Sequence, residues 1–175
     1  ILMGGFFTSV NGTNLSHIAR LNTDGSVDNT FQPGVGAGDA VFSIALQTDT
    51  RIVLGGEFTE CSGVSRNRIT RLNPDGSLDS NFGSGGVASS DFGGGDATAN
   101  AITMDNDAII VVGANGEAPN RHMAVSEFND LGVLNGDFNG TRQFQMSFFA
   151  PDADTVGEAV AINSNHQIVI GASFV

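Results

Sequence analysis

The chain has 175 residues, with 19 acidic side chains, seven arginines and no lysine, which gives a formal net charge of −12. Such an acidic surface repels phosphate backbones and anionic lipid, so we expect no nucleic acid binding. No apolar stretch approaches the ~18 residues of a transmembrane helix, and we expect no membrane insertion. The 13 phenylalanines, without tyrosine or tryptophan, predict a core of aromatic rings with few polar groups.

A short apolar run recurs along the chain, as "ILMGG", "IVLGG", "IVVGA" and "IVIGA" beginning at Ile1, Ile52, Ile110 and Ile168. The successive spacings are 51, 58 and 58 residues. Repeats of this length indicate supersecondary units that bury their apolar faces against one another. We therefore divide the chain into units 1–51, 52–109 and 110–167, with the start of a fourth at 168–175.

A twelve-residue motif follows each of the first three runs. It reads "RLNTDGSVDNTF" at 20–31, "RLNPDGSLDSNF" at 71–82 and, in a degenerate copy, "EFNDLGVLNGDF" at 127–138. The third copy keeps the asparagine, the glycine and the closing phenylalanine but loses the arginine and shifts the aspartate. Asp-Gly between two apolar stretches predicts a tight turn with a positive φ at the glycine.

The apolar runs are too short for helices and are rich in valine, isoleucine and phenylalanine, which is typical of strands. Each unit offers three strands, and the longer second and third units add a fourth edge strand at "GVASSDF" and "RQFQMSFF". Small antiparallel sheets repeated in this way predict an all-β, propeller-like fold of three to four blades. We expect the "IVLGG"-type runs to be the most buried strands.

The number of units predicts an array that is incomplete as a ring on its own, because closed propellers have about four to eight blades. We expect further repeats of the same parent chain, or copies of this chain, as partners. Exposed edges and apolar faces at the ends of such an array favour association.

Several stretches together resemble the delta-60 repeat family, a β-propeller-type repeat of large bacterial proteins. They are "RNRITRLNPDGSLDSNFG", "GGVASSDFGGGDATANAI" and "AIIVVGA", with a "GGxFT" segment. The resemblance implies an exported or surface-associated repeat region and supplies no catalytic residue or cofactor. We expect a non-enzymatic scaffold of an extracellular or surface bacterial protein, for adhesion, assembly or display. The alternative is a ligand-binding or enzymatic propeller whose site is completed by blades outside this segment.

The oxygen-rich turns of the motif raise the question of calcium. They contain Asn22, Asp24 and Asp28 in one copy and Asn73, Asp75 and Asp79 in the other. An EF-hand loop would need a glutamate six residues after the glycine, where the two copies place Phe31 and Phe82. We therefore predict a turn followed by a solvated aspartate, and no metal.

The other candidate residues lack convergent partners. The histidines occupy different phases of the repeat and are predicted to be surface residues: His17, His122 and His166. Cys61 is the single cysteine, which excludes an internal disulfide, and we predict that it is buried or half-buried. "GSGGV" and "FGGGD" lack a following G-K-[ST] and are predicted to be loops. We predict no catalytic, cofactor-binding or metal-ligating residue.

Two sets of polar residues remain. Alternation along "RNRITR" predicts a strip of arginines on one solvated face, paired with nearby aspartates: Arg66, Arg68 and Arg71. Three Asn-x-Ser/Thr sequons would permit glycosylation in a secretory pathway, although they can also arise by chance: Asn11, Asn14 and Asn139.

Overall fold

The computed structural model describes residues 1–84, 87–88, 97–135 and 154–174, together with the backbone of 143–146. Within these ranges the chain forms fifteen β-strands and no helix. All sheet pairings between these strands are antiparallel. The prediction of an all-β fold built from small antiparallel sheets is therefore confirmed.

The first two sheets follow the same plan. In the first, β1 (Leu2–Gly4) pairs with β4 (Ile18–Arg20), and the hairpin of β2 (Ser9–Val10) and β3 (Thr13–Asn14) lies between them in sequence. In the second, β5 (Val41–Leu46), β6 (Ile52–Gly56) and β9 (Ile69–Leu72) lie side by side. The hairpin of β7 (Glu60–Cys61) and β8 (Val64–Ser65) separates β6 from β9.

The third sheet has four strands in sequential order, namely β10 (Thr98–Asp105), β11 (Ala108–Asn115), β12 (His122–Phe128) and β13 (Gln143–Met146). The fourth consists of β14 (Thr155–Ile162) and β15 (Ile168–Phe174). Strand β13 confirms the edge strand predicted at "RQFQMSFF". Most of the other predicted edge strand, "GVASSDF", lies outside the described residues.

Each of the middle sheets straddles a boundary between sequence units. Strand β5 belongs to unit 1–51, whereas its partners β6 and β9 belong to unit 52–109. In the same way β10 ends unit 52–109 and pairs with β11 at the start of the next unit. Backbone hydrogen bonds therefore join consecutive sequence units within one sheet.

The core lies in layers between successive sheets. One apolar cluster packs β4 against β6 and β9, with Ile18, Leu54 and Leu72 among its members. A second packs Val53 of β6 against Ile109 of β11, and a third packs β11 against β14 and β15. Apolar side chains on both faces of β6 and β11 explain why these sheets stack face to face.

The prediction that all four recurring apolar runs are the most buried strands is only partly correct. Strand β6 is buried throughout, and β11 is buried at all but its first residue. By contrast, β1 has no fully buried residue and β15 is mostly exposed. The difference arises because β6 and β11 each have a described sheet on both faces.

The backbone repeats more faithfully than the side chains. Non-glycine residues with positive φ are uncommon in proteins. Here Asn11 (φ 48°) and Ser62 (φ 54°) occupy equivalent turns, and His17 (φ 63°) and Arg68 (φ 65°) occupy equivalent positions before β4 and β9. Each pair is separated by 51 residues, so the backbone conformation is maintained while the side chain changes.

Candidate functional site

The second copy of the twelve-residue motif forms a buried ion pair. Arg71 lies in β9, and a bridge between Leu72 and Leu78 closes the turn so that Asp79 returns opposite it. The Nε and Nη2 atoms of Arg71 lie 2.9 and 2.8 Å from Asp79 Oδ2. The guanidinium also stands 4.6 Å from the ring centroid of Phe82. The arginine, the second aspartate and the closing phenylalanine of the motif thus form one cluster.

The first copy forms the same cluster in a more open setting. Arg20 Nε donates to Asp28 Oδ2 at 2.8 Å, and its guanidinium lies 4.8 Å from the ring centroid of Phe31. The Arg20 and Asp28 side chains are 26% and 18% exposed, against 1% and 4% for Arg71 and Asp79.

Two predictions for this motif are therefore wrong. Asp79 is not solvated, because Arg71 binds it in the interior. The arginines of "RNRITR" do not share a solvated face, since both Arg66 and Arg71 are buried while Arg68 is half-buried. Arg66 and Arg68 instead donate to the backbone carbonyls of Ser65 and Glu57. The expected pairing with aspartate holds for Arg71.

The arginine of each motif also reaches the turn of the next unit. Arg20 Nη1 donates to the carbonyl of Pro74 at 2.6 Å, and the Gln32 amide donates to the carbonyl of Asp75 at 2.7 Å. These carbonyls belong to the Asn-x-Asp-Gly turn of the second motif. Because the bonds come from both side chain and backbone, they fix the position of one unit on the next.

The second junction repeats these contacts. Arg71 Nη1 donates to the carbonyl of Asp130, and the Gly83 amide donates to the carbonyl of Leu131 at 2.6 Å. Asp130 and Leu131 occupy the positions of Pro74 and Asp75 in the third copy of the motif. The same arrangement therefore occurs twice, between different pairs of units.

The motif's phenylalanine completes the junction by packing on the turn glycine. A Cβ atom at Gly76 would lie 2.9 Å from the Phe31 ring, and one at Gly132 would lie 2.5 Å from the Phe82 ring. Both glycines also have positive φ, 91° and 77°. Only glycine meets both requirements without strain. The motif's arginine, its phenylalanine ring and the backbone amide of the residue after that phenylalanine all contact the turn of the next unit. We call this set of contacts the docking contact.

The third copy keeps the backbone but exchanges donor and acceptor. Glu127 replaces the arginine and Asn135 replaces the aspartate, and Asn135 Nδ2 donates to Glu127 Oε1. The backbone bond from Asn135 N to Glu127 O matches those of Asp28 to Arg20 and Asp79 to Arg71. Over its described residues, 127–135, the copy that is degenerate in sequence thus keeps the backbone bond of the other two, without a guanidinium.

The carboxylates in the turns are engaged by their own backbone. Asp24 Oδ1 accepts from the Ser26 hydroxyl at 2.6 Å and the Ser26 amide at 2.9 Å, and Asp75 accepts from Ser77 in the same way. These serine hydrogen bonds hold the pKa of both carboxyls below its ordinary value. Within the described ranges no three His, Cys, Asp or Glu residues are placed to share a metal ion. The absence of calcium stays a prediction.

A cavity of about 340 Å³ opens where the first strands of three sheets lie side by side. Strands β5, β10 and β14 each carry a β-bulge, at Phe42, Asn100 and Glu158, spaced by 58 residues. All three bulged residues line the cavity. Because a bulge redirects a side chain, this irregularity gives the cavity one lining residue from each of the three strands.

The cavity carries aromatic, amide and charged groups. Phe42 is 47% exposed, and Glu57 and Glu158 belong to the same lining. Arg121 also lines it, but its Nη2 lies 2.7 Å from Asp154 Oδ2. The amide and guanidinium of Arg121 hold the pKa of Asp154 below its ordinary value. Since that pair is neutral overall, the two glutamates give the lining a net negative charge.

Sequence reasoning missed this cavity. Its bulged residues share a spacing and a phase, but their chemistry differs from sheet to sheet, so no motif connects them. Asn100 donates to the Gly157 carbonyl at 2.9 Å, while Glu158 accepts from Ser173 at 2.7 Å. The sequence signal that could have revealed the cavity is that the residue type changes at these equivalent positions while the surrounding repeat stays regular.

The three histidines do not come together. His17 is buried with Nδ1 3.0 Å from the Gly5 carbonyl, so its prediction as a surface residue is wrong. The cause is its position before β4, where the ring packs near Phe6 and Phe7. His166 is exposed in a turn, with Nδ1 2.6 Å from Asp105 Oδ1, and His122 lies half-buried at the start of β12.

The remaining described candidates do not line the cavity. Cys61 is fully buried, as expected, and burial raises the pKa of its thiol. Asn11 and Asn14 lie exposed on the β2–β3 hairpin. Asn139 lies outside the described residues. No described segment forms a helix capable of spanning a membrane.

Stacked small antiparallel sheets with repeated junctions define a β-propeller-type repeat protein. Residues 1–31 and 47–82 match the sequence model of a family described as "Domain of unknown function (DUF5122) beta-propeller". Each matched segment ends on the phenylalanine of a docking contact. No curated protein matches the chain. The chain is thus similar to β-propeller repeats, and the narrower delta-60 resemblance stays a prediction.

Proposed function

We propose that the chain is a non-enzymatic repeat scaffold, in which docking contacts hold successive units in fixed register. The observation that carries the proposal is the use of Arg20 and Arg71, which bind an aspartate of their own motif and a carbonyl of the next unit. The side chains repeated most faithfully thus serve junctions between units. The inter-unit bonds favour one register over others, because a slip of one unit on the next would leave the guanidinium N–H and the turn carbonyl without their hydrogen-bond partners.

The proposal also covers the cellular location of the protein and its binding partners. We propose a location outside the bacterial cell or on its surface, where the region serves adhesion, assembly or display. Its partners would be further repeats of the parent chain or copies of the same chain. The acidic surface supports the proposed assembly with further repeats. A net charge of −12 keeps a repeat protein soluble while its specific contacts form.

The proposal is tested in the parent protein on producing cells. Phe31→Ala removes a docking ring, and we expect faster protease cleavage of the region and loss of cell attachment. Phe6→Ala is the matched control, because Phe6 is 84% exposed. Glu158→Gln alters the cavity and should leave both properties intact. Unchanged attachment with Phe31→Ala, or its loss with Glu158→Gln alone, would argue against a scaffold.

A second candidate function is ligand binding in the cavity, which the exposed ring of Phe42 beside Glu57 and Glu158 favours. An aromatic face and two carboxylates suit a small organic cation. Titration calorimetry with spermidine and with choline tests this directly. Saturable binding that weakens several-fold in Glu158→Gln, but not in Glu60→Gln on strand β7, would support it. Absence of binding by both probes would remove this candidate.

A further inference from the structure

The turn Asn22–Gly25 has the geometry of the two occupied turns but receives no docking contact from the described residues. We infer that this turn is a docking socket for another repeat unit that carries arginine and phenylalanine at the positions of Arg20 and Phe31. The inference rests on the proposed scaffold function and specifies the chemistry of one partner.

The socket is already formed. The Asn22 amide donates to the Ser26 carbonyl at 2.8 Å, the same distance as from Asn73 to Ser77. Gly25 has φ 85°, close to the 91° of Gly76. Because the turn is held by its own hydrogen bonds, a partner would bind it without first ordering the chain.

The socket is also open. A Cβ built at Gly25 meets nothing within 4 Å, whereas the same atom at Gly76 or Gly132 meets a phenylalanine ring. The carbonyls of Thr23 and Asp24 correspond to those of Pro74 and Asp75, which accept bonds at the first junction. Across the described ranges neither Thr23 nor Asp24 accepts a bond through its carbonyl. The acceptors and the space for the ring are therefore both available.

The occupied sockets define the occupant. In each, one guanidinium bridges an aspartate of its own motif and a carbonyl of the next turn, which requires several donors in a fixed plane. Arginine meets this requirement and lysine does not. The third motif of the same chain does not fit, because Glu127 would present a carboxylate to the carbonyl of Thr23. The partner is therefore a further unit of the Arg20 type.

The test adds such a unit to the full chain. A copy of residues 1–51 is placed directly before Ile1, which reproduces the 51-residue spacing between the first two units. The added Arg and Phe then stand in the same relation to Asn22–Gly25 as Arg20 and Phe31 do to Asn73–Gly76. We expect the extended chain to unfold in one transition, with a higher urea midpoint than the original chain.

Gly25→Asn in the original unit examines the socket itself. Asparagine accepts positive φ better than most residues, so the original chain should keep its midpoint. In the extended chain the new side chain occupies the ring's position, and most of the gain in midpoint should disappear. Gly12→Asn is the matched control, because Gly12 has φ 78° and nothing within 4 Å of its Cβ. Gly12→Asn should change the urea midpoint of the original chain and that of the extended chain by the same amount.

Further variants separate the possible failures. Replacing the added copy's arginine with glutamate, as at Glu127, should also remove the gain. An added unit that melts separately, or a Gly25→Asn effect equal in both chains, would overturn the inference. Phe31→Ala in the original chain reports on an occupied socket. If that substitution leaves the midpoint unchanged, the docking contact fails as well, and the scaffold proposal fails with it.

Discussion

The two intact copies of the twelve-residue motif have nearly the same sequence and different surroundings. Arg71 and Asp79 are almost fully buried, and Gln47 Oε1 accepts a further bond from Arg71 at 2.9 Å. Arg20 and Asp28 form the same pair while remaining partly exposed. Neighbouring units, and not the motif itself, thus determine whether the pair is a surface ion pair or part of a buried network.

Neutralising the aspartate should separate the two copies most strongly. Asp79→Asn leaves the Arg71 guanidinium buried without a counter-charge, which should lower the free energy of unfolding by about 3–5 kcal/mol. Asp28→Asn should have a clearly smaller effect, because water reaches Arg20. Urea denaturation of both variants measures the difference. Equal losses would show that burial does not distinguish the copies.

Equivalent glycines extend the comparison to the strands. Gly113 in β11 and Gly171 in β15 occupy the same position of the recurring apolar run. A Cβ at Gly113 would lie 1.9 Å from the Thr98 carbonyl oxygen, whereas one at Gly171 meets its nearest atom at 3.6 Å. Gly113→Ala should therefore cost about 1–3 kcal/mol and Gly171→Ala much less. Thermal unfolding of the pair measures this, and similar midpoints would contradict the packing.

Acid should weaken the buried pair through Asp79. Burial acts to raise the pKa of this carboxyl, but the Asn81 amide and the Arg71 guanidinium outweigh it and hold the pKa below 3.8. A carboxyl whose pKa is lower in the folded state than in the unfolded state contributes its full stabilisation above the unfolded-state pKa. That stabilisation is lost as the pH falls through the folded-state pKa. Unfolding free energy should therefore decline below about pH 4. The decline should be shallower in Asp79→Asn, and parallel pH profiles would exclude Asp79 as a cause.

The smallest effect concerns the exchanged pair of the third copy. Asn135→Asp places a carboxylate against Glu127 and should destabilise the wild-type chain by about 1 kcal/mol. In a Glu127→Arg background the same substitution creates an Arg–Asp pair and should stabilise. A double-mutant cycle measures this reversal of sign. Without the reversal, the two positions do not act as the donor and acceptor of one bond.

Sequence alone predicted the parts of the fold that depend on local chemistry. Short Val- and Ile-rich runs separated by Asp-Gly turns predicted the strands, and Gly76 has the positive φ that its turn requires. Extra length in the third unit predicted strand β13. These inferences succeed because strand and turn preferences act over a few neighbouring residues.

Features that depend on neighbouring units were not predictable in this way. Alternation placed Arg71 on a solvated face, but the turn at Asp130 covers it. His17 was expected at the surface but is buried. The equivalent position before β9 holds Arg68, so the two copies share no residue type that would mark this site. The bulges at Phe42, Asn100 and Glu158 arise from sheet register, which pairs residues distant in sequence.

Because the sheets span the boundaries between sequence units, the fold constrains how the gene can gain or lose repeats. Since β5 precedes a unit boundary and its partner β6 follows it, a duplication or deletion of one full period reconnects an equivalent hairpin. Unequal recombination between repeats therefore changes the number of blades while leaving a strand order like β5-β6-β9 intact. A breakpoint that is not a whole period away would instead join strands of mismatched register. Gene length in such arrays should accordingly change in steps of one unit.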